Sequence, residues 1–353
     1  MQEKKETRLF ALDLLRVLAC FLVIWQHVTE CYYINPDLTA IKNQDTAIIG
    51  WINSLTPIEV PLFVMISGYF LLPLKTDVST FFRRRFTRIL YPFVSWCVIY
   101  AFYYMYHRGD TLKDVLVNIA HIPVNFGTEI GHMWFIYMLL GLYLLVPVVS
   151  PWLQQCSQRQ LQGYLGLWAF TTCLPYIHLV FPAVLGECFW NPSPLLHYFT
   201  GFAGYFILGY YIRRYGALSI RQSLIAIAGG YLITATLFQL RLPHVTMVSD
   251  LEVCWRFCSL NIMIMAYGVF SLITRIPWNS HGLIARFISR FAVLSYAVYF
   301  IHLMLIFFFQ PLLNTLPVPV FIKIPLITVC CFFTAFILVR LLAYLPKSRY
   351  WLG

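Results

Sequence analysis

Four ionisable side chains share one face of the first apolar segment, residues 9–32. Arg16 and His27 are eleven residues apart, and at about 100° per residue three helical turns return to the same face. Asp13 precedes Arg16 by three residues and Glu30 follows His27 by three, so both acids join that face. Histidine exchanges protons near neutral pH and can act as a general base toward a hydroxyl. This polar stripe predicts proton-transfer chemistry or, as the alternative, contacts that only fix helix packing.

Two arginines, Arg85 and Arg88, share a helix face at the start of the third apolar segment, because they are three residues apart. Paired guanidinium groups suit phosphates and diphosphates. Coenzyme A carries such groups, and lipid headgroups are the competing ligand. The alternative is topological, since the basic run at residues 83–88 would hold this loop in the cytoplasm.

A third group of candidates lies in the second apolar segment, residues 48–73. Prolines on both sides of Glu59 can break this helix, and broken backbone is tolerated in a membrane where it lines a cavity. Ser67 and Tyr69 follow in the same segment and are further candidates for the binding site that Arg85 and Arg88 suggest. The alternative is structural, because Ser67 and Gly68 could instead form a close contact between helices.

Further candidates for a cavity lining occur in two later segments. His132 and Trp134 open the fourth apolar segment, and Tyr296 and His302 lie in the ninth. A position at the membrane interface explains Trp134 without any function. A contact with a neighbouring helix explains His302 in the same way.

The elements that carry these residues are apolar to a degree that requires a lipid environment. Of the 353 residues, 60% are hydrophobic and 11% are charged, whereas soluble domains carry about 25% charged residues. A helix needs about 20 apolar residues to cross a bilayer. We therefore predict an all-α integral membrane bundle of about ten helices, forming one domain over residues 1–353 without a soluble appendage. The spans are expected near residues 9–32, 48–73, 88–106, 132–152, 161–181, 197–213, 222–240, 253–273, 288–309 and 320–345.

The basic residues predict the orientation of this bundle. With the amino terminus inside, eighteen of the 25 Lys and Arg residues fall in cytoplasmic segments and six fall outside. Cytoplasmic loops of membrane proteins carry such an excess, so both termini are expected in the cytoplasm. The outer side would also hold Cys31, Cys188 and Cys254, among which a disulfide could form.

Several classes of function lack support in the sequence. The net charge of +11 is explained by the cytoplasmic loops, and no RNA-binding signature accompanies it, so nucleic acid is not an expected partner. There is no Walker loop, no His-Glu-x-x-His motif and no dinucleotide fingerprint. We expect no metal site and no permanently bound cofactor. Every Asn-x-Ser/Thr sequon is blocked by proline, which favours a bacterial protein in the cytoplasmic (inner) membrane.

Five segments in order resemble the acyltransferase-3 family of membrane acyltransferases, over about residues 9–345. They are Asp-Leu-Leu-Arg at residues 13–16 followed by His27, Pro-Leu-Phe-Val-Met-Ile-Ser-Gly-Tyr at 61–69, the pair Arg85 and Arg88, His-Met-Trp-Phe at 132–135, and Leu-Ser-Tyr-Ala-Val-Tyr-Phe-Ile-His at 294–302. Within the family the chain looks most like the compact bacterial members of the enterobacterial common antigen O-acetyltransferase type.

The resemblance implies transfer of an acetyl group from acetyl-CoA, as co-substrate, to a hydroxyl of a surface glycan or lipid-linked sugar. It implies that His27 is the essential catalytic residue, that Arg16 accompanies it, and that Arg85 and Arg88 belong to the acyl-donor site. Membrane lipids would be the other partners. We expect no fused esterase-like domain of the kind that some members carry, so the chain would act alone or with a separate partner.

A transporter or exporter of a glycan or acylated molecule is the alternative function. Transporters often contain paired broken helices at the binding site. The break expected at Pro57 and Pro61 has no evident counterpart in the second half of the sequence. The enzyme is therefore the favoured prediction.

Overall fold

The computed structural model describes residues 2–124, 128–183 and 195–353. In these ranges the chain is helical and contains no β-strand, apart from two isolated bridges, which confirms the all-α prediction. Short 3-10 turns occur at Thr56–Ile58, Thr128–Met133, Glu252–Trp255 and Ser348–Tyr350. The α-helices are α1 (Gln2–Tyr33), α2 (Gln44–Asn53), α3 (Glu59–Leu71), α4 (Val78–Arg108), α5 (Leu112–His121), α6 (Trp134–Gln155), α7 (Gln158–Thr171), α8 (Leu174–Val180), α9 (Phe202–Tyr215), α10 (Ile220–Arg241), α11 (Val248–Leu251), α12 (Leu260–Arg275), α13 (Leu283–Asn314) and α14 (Val320–Leu342).

Seven helical stretches of the described chain are long and apolar enough to cross a membrane, which is consistent with a membrane helical bundle. The number becomes eight if Val248–Trp255 and Leu260–Arg275, which meet at a bend of 40°, form one broken span. Two other predicted spans contain no long helix. Residues 161–181 are divided between α7 and α8, and residues 197–213 contain only part of the fourteen-residue α9. These interrupted segments account for the difference from ten.

Two spans are broken, and the two breaks touch each other. The first separates α2 from α3 at residues 54–58, and the second separates α11 from α12 at residues 252–259. The indole Nε1 of Trp255 donates a hydrogen bond to Ser54 Oγ at 3.3 Å. The first break thus touches a second one, which was not predicted from the sequence. Hydropathy did not reveal the second break because residues 252–259 are apolar apart from Glu252, Arg256 and Ser259.

Side chains satisfy the backbone groups that the second break leaves without helical partners. Asn261 donates to the Cys254 carbonyl at 2.8 Å and accepts from the Ser259 hydroxyl at 2.8 Å. The Tyr205 hydroxyl donates to the Phe257 carbonyl at 2.6 Å. Unpaired backbone groups are costly away from water. The break is therefore a built feature that is held at a fixed geometry.

Helix α1 lies at the centre of the bundle, in contact with α2, α3, α12, α13 and α14. One face of α1 is buried, with Leu12, Leu15 and Val28 fully inaccessible. The face that carries the polar stripe is only half-buried. The hydrophobic face fixes α1 against its neighbours, and the polar face is left toward a cavity.

Helices α3 and α9 approach each other through two glycines. A Cβ atom on Gly68 would lie 1.7 Å from the Phe206 carbonyl oxygen, and one on Gly209 would lie 2.0 Å from the Met65 carbonyl oxygen. Neither position has room for a side chain. This confirms the packing interpretation for Gly68, and the contact fixes the rotation of α3 that determines which of its residues face α1.

The two cysteines of the proposed outer set that the structure describes, Cys31 and Cys254, are free thiols. Cys188 lies outside the described residues. A disulfide between Cys31 and Cys254 is therefore absent.

Candidate active site

The polar stripe of α1 forms two local pairs. Arg16 Nη1 lies 2.9 Å from Asp13 Oδ1, and His27 Nδ1 lies 2.8 Å from Glu30 Oε1. Both pairs are spaced by three residues on an unbroken helix, which confirms that all four side chains share a face. The two pairs are separated along the axis by about 16 Å, the rise of eleven helical residues.

Two further histidines lie beside His27. The ring of His302 on α13 is 5.3 Å from the ring of His27, and the ring of His132 is 5.4 Å from that of His302. His302 is fully buried and its Nδ1 donates to the Tyr299 carbonyl, which can only accept. In the neutral ring, Nε2 of His302 is therefore an acceptor. The Tyr299 hydroxyl donates in turn to the His132 carbonyl, which ties the 3-10 turn before α6 to α13.

These histidines are not arranged as a metal site. Within the described ranges, no group of three or more His, Cys, Asp or Glu side chains could hold a metal ion. His302 Nε2 and both ring nitrogens of His132 are buried without a hydrogen-bond partner in the described part of the chain. The cluster forms a polar wall behind His27.

A cavity of about 690 Å³ runs along the polar face of α1. One end, here called the Arg16 end, is lined by Arg16, Ser67, Ser295 and Tyr296. The other, called the Glu30 end, is lined by Glu30, Glu59, Ser249, Glu252 and Arg256. His27 and His132 line the cavity between its ends, and both helix breaks contribute residues to its wall. Irregular backbone at membrane depth occurs where it lines such a space.

Gln26, the residue before His27, holds the first helix break in place at the Glu30 end. Gln26 Oε1 accepts from Asn53 Nδ2 at 2.9 Å and from the Thr56 hydroxyl, which fixes the first break beside His27. Three residues after Thr56, the carboxyl of Glu59 is 2% exposed, and its Oε2 has no hydrogen-bond partner among the described residues. Glu59 lines the cavity, so its unpaired oxygen is a candidate contact for a ligand.

The Arg16 end lies next to the second basic group. The Arg16 guanidinium is 5.1 Å above the Phe70 ring. Tyr143 of α6 interacts electrostatically with Arg16, Arg85 and Arg88, and Arg88 also interacts with Arg16. Arg85 is half-buried and Arg88 is exposed, and both lie beside the cavity lining without belonging to it.

The other predicted residues separate into two sets. Trp134 and Tyr296 line the cavity, and so does Ser67, whose hydroxyl donates to the Phe63 carbonyl at 2.9 Å. Tyr69 is outside the lining, because its buried ring packs against Phe270 and its carbonyl accepts from Arg213 at 2.6 Å. His302 is likewise outside the lining and reaches the cavity through His27.

The cavity lining also contains residues that were not predicted from the sequence, among them Gln26, Glu252, Arg256 and Phe257. Glu252 accepts a hydrogen bond from the Tyr33 hydroxyl at 2.5 Å. The available signal was the presence of Glu252 and Arg256 at the start of an otherwise apolar span. These two residues can be interpreted as part of a cavity lining only when the break between α11 and α12 is known.

Comparison with known protein families shows which family the chain belongs to. A family model described as an acyltransferase domain, that of the acyltransferase-3 family, matches residues 9–344. No curated protein and no solved structure matches the chain significantly. The match covers nearly the whole chain, including α1, both helix breaks and α13. The chain therefore belongs to the acyltransferase-3 family and is a membrane acyltransferase.

Proposed function

We propose that the protein transfers an acetyl group from cytoplasmic acetyl-CoA to a hydroxyl of a surface glycan or lipid-linked sugar, in the bacterial cytoplasmic membrane. The observation that carries this proposal is the single cavity that joins Arg16 to the His27–Glu30 pair. Resemblance to the enterobacterial common antigen O-acetyltransferase type supports the acetyl group and the sugar. No permanently bound cofactor is part of the proposal.

The distribution of charge supports entry of the donor at the Arg16 end. With both termini in the cytoplasm, that end and the basic pair Arg85 and Arg88 face the compartment that contains acetyl-CoA. Two guanidinium groups suit the diphosphate of coenzyme A. The extended pantetheine arm would then lie along α1 and carry the thioester over the about 16 Å of rise that separates Arg16 from His27. The acceptor would approach from the Glu30 end.

The His27–Glu30 pair is oriented for general base catalysis. His27 Nδ1 is engaged by Glu30, so Nε2 is the nitrogen that would take the proton of the acceptor hydroxyl. The hydroxyl oxygen forms the new ester bond to the acetyl carbon, and the carbon–sulfur bond breaks. The proton passes from His27 to the departing thiolate of coenzyme A. In the variant of this scheme, His27 itself carries the acetyl group between donor and acceptor.

The decisive experiment separates donor binding from transfer in His27→Ala. Purified protein in nanodiscs would be incubated with radiolabelled acetyl-CoA and candidate glycan lipids. We expect retained coenzyme A binding and a fall in transfer of about 10²–10⁴-fold, the contribution of a general base. His281→Ala is the matched control, because His281 is exposed and lies outside the cavity lining. Near-normal transfer by His27→Ala would remove His27 from the chemistry.

Export of a glycan or acylated molecule is the second candidate, and the paired helix breaks favour it. Both breaks line the cavity and touch through Trp255 and Ser54, as broken helices do around transporter sites. Export predicts movement of the unmodified glycan lipid across a vesicle membrane without acetyl-CoA. Acetyl transfer that depends on His27, with no such movement, would decide for the enzyme.

A further inference from the structure

A buried carboxyl marks a ligand position at the Glu30 end of the cavity. Glu59 begins α3, at the end of the first helix break, and its side chain lines the cavity while remaining 2% exposed. Its Oε2 has no partner in the described residues. A buried polar oxygen left unpaired destabilises the fold. An incoming group that carries hydroxyls would satisfy it.

An aromatic wall faces the same space. Trp134 lines the cavity and stacks on Phe257, with ring centroids 5.6 Å apart and planes at 24°. Phe202, also in the lining, lies 5.7 Å from Trp134. The neighbouring ring of Phe135 is 6.0 Å from Phe63, which lies one turn beyond Glu59 on α3. The aromatic wall and Glu59 therefore belong to one compartment.

The same compartment adjoins the chemistry. Phe135 lies 5.7 Å from the ring of Tyr299, which bonds to His302 and His132 beside His27. A ligand between Trp134 and Glu59 would therefore be close to His27. Flat aromatic faces bind the apolar face of a ring, and a few placed polar groups fix its orientation.

The charges at this end disfavour an acidic ligand. Three carboxyl groups, from Glu30, Glu59 and Glu252, line the Glu30 end against the single guanidinium of Arg256. Burial of a carboxylate away from water is costly unless a cation pairs with it. Arg256 is exposed, so a uronate carboxylate placed beside Glu59 would be buried among carboxyl groups without a paired cation, whereas an uncharged ring would donate its hydroxyls to these oxygens.

Resting on the proposed function, we propose that the Glu30 end is the acceptor subsite and that it selects an uncharged sugar ring, stacked on Trp134 and held through its hydroxyls by Glu59. Glu59 and Trp134 are binding residues in this arrangement, and His27 receives the proton of the ring hydroxyl that reacts.

Two glycosides that differ at one carbon test the selection. Radiolabelled octyl glucoside carries a CH₂OH group where octyl glucuronide carries a carboxylate. Equilibrium binding would be measured on protein in phospholipid nanodiscs, with empty nanodiscs as the blank for partition into lipid. We expect the glucoside to bind at least about tenfold more tightly than the glucuronide. Equal binding of the two, or binding of neither, overturns the proposal.

Variants assign the effect to residues. Glu59→Gln should narrow the ratio of the two affinities, because it replaces an oxygen that would accept a ring hydroxyl by an amide NH₂ group that would donate to the glucuronide carboxylate. Trp134→Leu should weaken binding of the glucoside by about tenfold, because the aromatic face is lost. Asp45→Asn and Trp51→Leu are matched controls, since both residues are exposed and outside the cavity lining. An unchanged ratio in Glu59→Gln overturns the assignment to Glu59. If that variant does not fold, the wild-type ratio still decides the proposal.

This binding assay contains no acetyl-CoA, so its outcome is independent of catalysis. Selective glucoside binding without acetyl transfer would retain the subsite and reject the proposed function. Transfer to both glycosides at equal rates would retain the function and reject the subsite.

Discussion

Replacement of Glu30 by Gln isolates the contribution of charge to the His27–Glu30 pair. Gln keeps an oxygen that can accept from His27 Nδ1, so the ring retains its orientation. It removes the negative charge that faces the imidazole when the ring holds a proton. In the proposed mechanism that protonated ring exists after the acceptor hydroxyl has given up its proton. We therefore expect Glu30→Gln to lower kcat and to leave acetyl-CoA binding unchanged.

The distance between the two groups sets the size of the effect. Two unit charges 2.8 Å apart interact by about 6 kcal/mol at an effective dielectric constant of 20 and by about 1.5 kcal/mol in bulk water. The Glu30 side chain is 41% exposed, so screening by solvent moves the value toward the lower figure. A loss of about 1.5 kcal/mol from the transition state lowers the rate about tenfold.

The assay compares kcat for acetyl transfer in the wild type, Glu30→Gln and Glu30→Ala. The Ala variant should lose more than the Gln variant, because the ring then also loses the group that orients it. Asp45→Asn, at an exposed carboxyl outside the cavity lining, controls for a general effect of charge. A wild-type kcat in Glu30→Gln would refute the mechanism in which Glu30 stabilises protonated His27, and the pair would then be a packing contact.

Three other predictions concern the donor site, the topology and the packing. Arg85→Ala with Arg88→Ala should weaken acetyl-CoA binding in a direct binding assay, and Arg88→Lys should restore little because a point charge does not replace a planar fork. Arg83→Ala with Arg84→Ala is the matched control in the same basic run. If the two double variants bind acetyl-CoA with equal affinity, the four arginines serve only to orient the protein in the membrane. Reporter fusions at Gly353 and in the loop after α4 should fall on opposite sides of the membrane, and an external carboxyl terminus would reject the orientation. Gly209→Ala should destabilise the protein by about 1–3 kcal/mol or more in thermal unfolding, because its Cβ would lie 2.0 Å from a carbonyl oxygen of α3. Gly229→Ala, which has no atom within 4 Å of the added carbon, should be tolerated, and equal melting of the two variants would contradict the close α3–α9 contact.

The polar pairs of α1 could be predicted from sequence because they depend on helical spacing alone. Asp13 and Arg16, and likewise His27 and Glu30, are three residues apart, and any α-helix brings such side chains together. The all-helical membrane fold was predictable for a similar reason, since composition determines which solvent the chain can tolerate. Neither inference depends on how the helices are arranged around one another.

Properties that depend on the arrangement of helices were not predictable. Ser67 and Tyr69 point about 200° apart on α3 because they are two residues apart. Ser67 is the one that lines the cavity, because the glycine contact with α9 sets the rotation of α3. The approach of His132 and His302 to His27 joins residues up to 275 positions apart. No proline marks the second helix break in the sequence. Its backbone groups form hydrogen bonds with side chains such as Asn261 and Tyr205, which are identified only once the helices are packed.

The continuous cavity along α1 also has a consequence for the permeability of the membrane. A space that connects a basic end to an acidic end would conduct water and protons if it were wetted throughout. Three apolar residues of the lining lie between those ends: Val23 on α1, Phe63 on α3 and Leu139 on α6. Apolar constrictions block ions by excluding water. Replacement of these residues by Ser should therefore make vesicles that contain the protein leak protons, a cost to the cell that is independent of acyl transfer.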